Sequence, residues 1–254
     1  MAPLASRSRP TNLLLASLPR AEFARMSPSL EPVNLTIGQS LHEPGNAHEH
    51  FYFPMTSIVS LVGVLRNGAT TELSLVGREG AVGLALVLGG DATLTRTIVQ
   101  SAGTALRWKS GALKRELKRG GAVQHLLLRY VQAIWAQTAQ SALCNRHHTL
   151  QQQLCKWLLL SFDRVDDRVL RMTQQLIADM IGVRREGVAL AASRLQGQGW
   201  ISYRRGMVVI LNRAALEANA CECYQTINQE YRRLLGWRKA DRKLSRAPLA
   251  VTWQ

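Results

Sequence analysis

The chain has 254 residues, enough for two modest domains that each bury a core, and its 46% hydrophobic and 19% charged content excludes a disordered protein. A formal net charge of +15, with a pI near 10.6, favours a polyanionic partner, either nucleic acid or an acidic membrane surface. Four scattered cysteines, Cys144, Cys155, Cys221 and Cys223, exclude a disulfide framework, and no apolar run approaches the roughly 20 residues of a membrane span, so a reducing, cytoplasmic setting without a membrane partner is expected.

A Ser/Arg/Pro-rich beginning gives way to a short helical pattern over residues 13–26, whose apolar start is too brief for a signal-peptide core. Residues 33–50, with Gly38, Pro44 and Gly45, read as short strands and turns. Residues 51–65 are aromatic and β-branched, Asn67-Gly68 is a strong hairpin signal, and residues 70–76 alternate with Leu73 and Leu75 on one face. Gly77, Gly80 and Gly83 interrupt the chain before the brief apolar stretch 84–88, either turning corners, the reading preferred, or cradling a phosphate. Strands resume at 95–100 and 104–108, and short strands at this spacing predict a β-barrel or roll.

From Ser110, a candidate N-cap, a short helix runs to Arg119, Gly120-Gly121 interrupts, and residues 122–147 contain neither proline nor glycine, which predicts one long helix. Val123, Leu127, Tyr130, Ile134, Gln137, Ser141 and Cys144 follow alternating steps of four and three, a spacing compatible with a coiled-coil seam or with packing on the helix's own domain. An amphipathic helix over 150–162 leads to the acidic loop 163–167, and a domain boundary is expected near Arg146.

Residues 173–212 carry the most specific pattern. Thr173 is a good N-cap for a helix with Leu176, Ile177, Met180 and Ile181 on one face, Gly182 turns the chain, and a second helix repeats Val188, Ala191, Ala192 and Leu195. Its other face shows Arg185, Glu186, Ala189, Leu190 and Ser193, with hydrogen-bonding groups near the N-terminal end, as in a helix that reads base edges. Two β-rich runs, 200–203 and 207–211, flank a tight turn at Arg204-Arg205-Gly206, which predicts a basic wing. Residues 213–235 read as one helix with Leu216, Ala220, Cys223 and Ile227 on a face. Arg232, Arg233, Arg238, Lys239, Arg242, Lys243 and Arg246, against Asp241, then form a basic stretch that reads first as a solvated tail and, alternatively, as a supplementary phosphate contact.

At residues 173–212 the sequence resembles the DNA-binding domain of the Crp/Fnr superfamily of bacterial transcription regulators, through Thr173, Leu176, Met180, Gly182-Val183, Arg185-Glu186, Val188 and the basic wing. The catabolite activator, a member of that family, is a standard example of groove geometry for such helices. The resemblance implies that Arg185 and Glu186 contact a guanine and a cytosine, and it places a second family arginine at Leu190. Thr173, Arg184, Ala189, Ser193, Arg204 and Arg205 complete the implied DNA-contacting set. Residues 1–120 resemble, more distantly, the family's β-roll sensor domain, with Gly83-Leu84 where nucleotide-binding members hold the ribose by Gly-Glu and Arg96-Thr97 where they hold the cyclic phosphate; Glu79 lies nearby. Leucine accepts no hydrogen bond, so cyclic AMP is not the expected effector.

The implied protein is α+β: a β-roll sensor (1–120), a dimerisation helix (121–147) with Val123, Leu127, Tyr130 and Ile134 at its seam, a winged helix-turn-helix (148–235) and a basic tail (236–254). It is expected to bind double-stranded DNA as a homodimer, with RNA polymerase and an unknown small-molecule effector as further partners. The alternatives are a metal or thiol redox sensor and a ligand-binding module without transcriptional output. Metal ligands are present in His42, Glu43, His48, Glu49 and His50 and in Cys221-x-Cys223, but neither set is a closed zinc pattern, and an i, i+2 pair on a helix points about 200° apart. The family's iron–sulfur members use an N-terminal cysteine cluster, whereas no cysteine here precedes Cys144. Neither metal nor cofactor is expected, and no catalytic motif argues for an enzyme.

Overall fold

The computed structural model describes residues 11–165 and 167–236; the first ten residues and the basic tail from 237 onward, with Arg238, Lys239, Asp241, Arg242, Lys243 and Arg246, lie outside them. The helical pattern expected over 13–26 is two helices, α1 (Leu13–Ser17) and α2 (Arg20–Met26), because Pro19 pushes Leu18 into an extended conformation. Asn12 caps α1, its Oδ1 accepting from the Leu15 N–H at 3.2 Å. Its Nδ2 donates to the carbonyls of Pro54 and Gly80 at 2.9 and 2.8 Å, so a fully buried amide ties this end of the chain to the rest.

Seven strands follow: β1 (Leu30–Leu35), β2 (Ser40–His42), β3 (His50–Pro54), β4 (Ile58–Val64), β5 (Thr70–Val76), β6 (Arg96–Ser101) and β7 (Gly103–Lys109). They form two antiparallel sheets, ordered β1-β7-β3 and β2-β6-β4-β5, with Phe51, Phe53, Ile58, Val59, Val99 and Trp108 buried in the core. This is the expected roll. The β4–β5 hairpin pairs Val64 with Thr70, and Asn67 Oδ1 accepts the Ala69 N–H inside a loop wider than two residues. The alternation read for 70–76 ends before the strand does. Ser74, Leu75 and Val76 are all buried, because helices cover the outer face there and Ser74 bonds Thr138 at 2.6 Å.

After α3 (Ala85–Leu88) and α4 (Ser110–Arg119), the long helix α5 runs Ala122–His147, as its composition predicts. Ser110 is the first residue of α4 rather than its cap, and Lys109 precedes it without a side-chain cap. The seam assigned to a partner is turned inward. Val123, Leu127, Tyr130 and Ile134 are buried inside the protomer, Tyr130 Oη donates to the Ala81 carbonyl at 3.0 Å, and Gln137 Nε2 donates to the Leu75 carbonyl at 2.9 Å. A helix that packs on its own domain has the same four-and-three spacing as a coiled coil, so period alone did not choose between them. The solvent face of α5 carries Leu128, Gln132, Trp135, Ala139 and Ala142, with Leu143 beside them; Trp135 is 76% exposed.

The remaining elements are α6 (Leu150–Asp163), β8 (Leu170–Arg171), α7 (Gln174–Ile181), α8 (Arg185–Gly197), β9 (Ile201–Arg204), β10 (Met207–Ile210), α9 (Arg213–Asn219) and α10 (Cys223–Leu235). The single helix expected over 213–235 breaks at Ala220, which is extended, and this bend returns α10 along α5, where Tyr231 meets Tyr130 edge-on at 6.4 Å.

A buried polar cluster joins α6, α5 and the roll. The Arg164 side chain, 4% exposed, pairs with Glu79 at 2.8 Å and donates to the carbonyls of Leu75 and Leu160 and to Gln137 Oε1. Both Glu79 oxygens accept the Gly77 N–H. Gly77 and Gly80 are needed for close approach more than for turning: a Cβ would lie 2.5 Å from Arg164 Cβ at the first and 2.2 Å from Tyr130 Oη at the second. Nearby, Glu72 accepts from Ser60 Oγ at 2.6 Å and from Trp157 Nε1 at 3.1 Å, and burial pushes its pKa up. A carboxyl whose folded pKa exceeds its unfolded value adds stability that is fully present below the unfolded pKa and lost as pH rises through the folded one. Glu72→Gln should therefore raise the urea midpoint at pH 7 and show little advantage at pH 4; an equal effect at both pH values would contradict a raised pKa.

Candidate nucleic-acid interface

The residues singled out for DNA contact come together around one helix. Thr173 caps α7, its Oγ1 accepting from the Leu176 N–H at 3.1 Å, while Ile177, Ala178, Met180 and Ile181 are buried. Gly182 closes α7 at φ +78°, and a Cβ there would approach Thr71 Oγ1 to 2.7 Å, so this glycine serves both the turn and contact with β5. In α8, Val188, Ala191, Ala192 and Leu195 are buried as their spacing predicts. Arg184, Arg185, Glu186, Leu190, Ser193 and Arg194 are exposed on the other side and Ala189 is half-buried. No side chain caps the start of α8, where Arg184 and Arg185 stand, and an uncapped helix N-terminus beside two cations favours an anion.

The wing is a two-residue hairpin in which Arg205 (φ +50°) and Gly206 (φ +74°) both take the left-handed conformation and Arg204 pairs with Met207. Its orientation to α8 is fixed: the Tyr203 N–H donates to Gln196 Oε1 at 2.7 Å and Tyr203 Oη donates to the Met172 carbonyl at 2.6 Å. The sequence did not reveal β8, whose two residues pair with β10 and are too few to show a period. Arg171, Arg184, Arg185, Arg194, Arg204 and Arg205 thus supply exposed cations to a surface made by the start of α7, the outer face of α8 and the wing tip.

The four effector candidates lie at separate points of the roll. Arg96 Nε donates to Glu43 Oε2 at 2.9 Å near the surface, Thr97 is 1% exposed, Leu84 starts α3, and Gly83 lies against the His50 carbonyl and Phe51 Cα. Glu79 is held by Arg164 and the Gly77 amide. A cleft of about 630 Å³ lies nearby, lined by His42, Glu43, Glu49, His50 and Tyr52 among others, and none of the four candidates lines it. In this region His42 stacks on His48 with centroids 3.8 Å apart and bonds the His50 carbonyl, and burial holds its pKa down to about 4.

The cysteines are arranged differently from the expectation. Cys221 precedes α10 and Cys223 opens it, so the pair is not i, i+2 on one helix, and both lie beside Cys144 and His148 at the end of α5. Cys144 Sγ is 3.5 Å from Cys221 Sγ; that hydrogen bond brings the Cys144 pKa down to about 5 and pushes Cys221 up. Cys144 and His148 were not grouped with Cys221 in the sequence, and their spacing of four on a helix was the available signal.

Residues 152–219 match the model of the Crp-like helix-turn-helix domain. The fold is that of several solved structures: FixK2 from Bradyrhizobium japonicum (17% identical, TM-score 0.67, 76% of this chain and 98% of that one), a CRP-family transcriptional regulator from Thermus thermophilus (22%, 0.59, 74% and 96%), and the c-di-GMP responsive global regulator CLP from Xanthomonas campestris (14%, 0.59, 76% and 99%). No curated protein matches the chain. Residues 152–219 thus carry a Crp-like helix-turn-helix domain, within a chain that has the fold of solved Crp/Fnr-family structures. No helix among the described residues is long and apolar enough to cross a membrane.

Proposed function

We propose that this chain, which has the Crp/Fnr regulator fold and a Crp-like helix-turn-helix domain, binds a two-fold-related operator as a homodimer and places α8 in the major groove. The observation that carries the reading is the outer face of α8, where Arg185 and Glu186 stand exposed at the N-terminal end and are flanked by a wing bearing Arg204 and Arg205. Arg185 donates in a fork to a guanine edge, Glu186 accepts from a cytosine amine, and the wing arginines hold phosphates. Leu190, 56% exposed where the family arginine is expected, reads no hydrogen-bond pattern and suits a thymine methyl. Residues 1–120 serve as the sensor, 121–147 as the connector and 148–235 as the DNA reader, with RNA polymerase as a further partner. A ligand-binding module without transcriptional output would select no sequence from a random DNA pool.

The dimer face is the exposed stripe of α5. Leu128, Gln132, Trp135, Ala139 and Ala142 repeat at steps of four and three, and pairing two copies would cover Trp135. The effector is not cyclic AMP, because Arg96 is engaged by Glu43 and a ribose hydroxyl against Leu84 finds no acceptor.

Three outcomes test the proposal. Arg185→Ala should cost about 1–3 kcal/mol per half-site and relax preference at one base pair, whereas Arg204→Ala or Arg205→Ala should weaken all sequences alike and reduce the salt slope by about one phosphate contact. Quantitative binding to a selected operator and its single-base variants separates these effects, and uniform weakening by Arg185→Ala would overturn the base contact. In sedimentation, the wild type should be a dimer at micromolar concentration, and the double variant Leu128→Glu/Trp135→Glu a folded monomer. A double variant that remains dimeric would place the interface elsewhere. In titration calorimetry, cyclic AMP should bind about five- to 150-fold more weakly than to a site with a ribose acceptor, since an unsatisfied buried hydroxyl costs roughly 1–3 kcal/mol. Micromolar binding that changes operator affinity would contradict the assignment.

A further inference from the structure

At the end of the long helix, four metal-ligating side chains meet that DNA reading does not use. Cys144 and His148 are one turn apart at the C-terminal end of α5, and Cys221 and Cys223 lie at the bend between α9 and α10. Their ligand atoms all fall within 4.8 Å of one another, and among the described residues this is the only such convergence of three or more His, Cys, Asp or Glu groups. We propose that Cys144, His148, Cys221 and Cys223 bind one Zn²⁺ ion in a closed, four-coordinate site.

The spacing of the four ligand atoms suits a tetrahedron around a small ion. With Zn–S near 2.3 Å and Zn–N near 2.0–2.1 Å, tetrahedral coordination sets sulfur–sulfur edges of about 3.8 Å and sulfur–nitrogen edges of about 3.5 Å. The observed edges are 3.5 Å between Cys144 Sγ and Cys221 Sγ and 3.5 Å between Cys223 Sγ and His148 Nδ1. His148 is oriented for ligation through Nδ1, because its Nε2 lies 3.1 Å from Glu222 Oε2; a carboxylate behind a ligating imidazole fixes its tautomer and ring plane. Gln140 Nε2 donates to Cys223 Sγ at 3.2 Å, and Gln153 Nε2 donates to the carbonyls of Cys144 and His148, which hold the ligand-bearing end of α5 in place.

Charge and burial agree with this occupant. Three thiolates with a divalent cation leave one net negative charge, and the buried Lys156 ammonium lies beside Cys144 to offset it. Thiolate and imidazole donors select zinc over the oxygen-seeking Mg²⁺ and Ca²⁺, and three fully enclosed sulfurs leave no open position for substrate. Bound there, the ion would fasten the bend before α10 to the end of α5, so its binding energy would add to the stability of the packed C-terminal helix.

The test is anaerobic titration of reduced, chelator-stripped full-length protein with Co²⁺, followed by Zn²⁺. Saturation at one Co²⁺ per chain is expected, with the intense visible bands of tetrahedral cobalt, a sulfur-to-cobalt charge-transfer band, and complete displacement by one equivalent of Zn²⁺. Cys223→Ser and His148→Ala should each weaken binding by at least about tenfold. Cys155→Ser, which alters a buried thiol outside the cluster, should not. One equivalent of Zn²⁺ should raise the thermal midpoint of the wild type more than that of Cys223→Ser. No saturable Co²⁺ binding, a pale octahedral spectrum, or a Cys144–Cys221 disulfide in the reduced preparation would each overturn the proposal, and none of these readouts depends on DNA binding.

Discussion

The buried ion pair between Arg164 and Glu79 is the contact on which the arrangement of the whole chain depends. Both charges are removed from water, a loss that a single contact at 2.8 Å does not offset. The neighbouring groups complete the set: the Leu75 and Leu160 carbonyls and Gln137 accept from the guanidinium, and the Gly77 amide donates to the carboxylate. Removing either partner would strand the other charge, at a cost of about 3–5 kcal/mol. Because Arg164 ends α6, Glu79 sits in the turn after β5 and Gln137 belongs to α5, the cluster fixes roll, long helix and DNA-reading segment against one another.

Other contacts extend that junction toward the recognition helix. Trp157 of α6 donates to Glu72 of β5, Gly182 lies against Thr71, and Thr70 Oγ1 is 3.5 Å from the Asp179 carbonyl. The first helix of the helix-turn-helix therefore rests on the β4–β5 hairpin, and the direction of α8 follows from it. The same packing consumes the inner face of α5 from two sides, with the roll against Tyr130 and Gln137 and α10 against Tyr130, and this leaves the outer stripe around Trp135 exposed.

What could be read from the sequence was local. Thr173 before an apolar helical face, Gly182 at a left-handed position and Arg204-Arg205-Gly206 between β-rich runs each state their geometry within a few residues, and the helix-turn-helix and wing fold accordingly. The long helix was equally clear from its lack of glycine and proline. What could not be read depends on partners distant in sequence. Leu127 and Tyr130 fit a core and a coiled coil equally well until β5 and α10 are placed beside them. The partner of Arg96, Glu43, lies 53 residues away and could not be read from the sequence around either residue. Gly77 and Gly80 read as corners, although their role is set by Arg164 and Tyr130. The cysteine cluster needed the break at Ala220, which no periodicity announced.

Through the Arg164 junction the helix-turn-helix and the roll form one mechanical body. Native-state hydrogen exchange measures it most directly, by comparing the opening free energies of amides in α7 with those in β4 and β5 of the same protein. Helix α7 should exchange only in the opening that also exposes β5, with the same free energy and the same denaturant dependence. A helix-turn-helix that opened at markedly lower free energy while the roll stayed protected would contradict it.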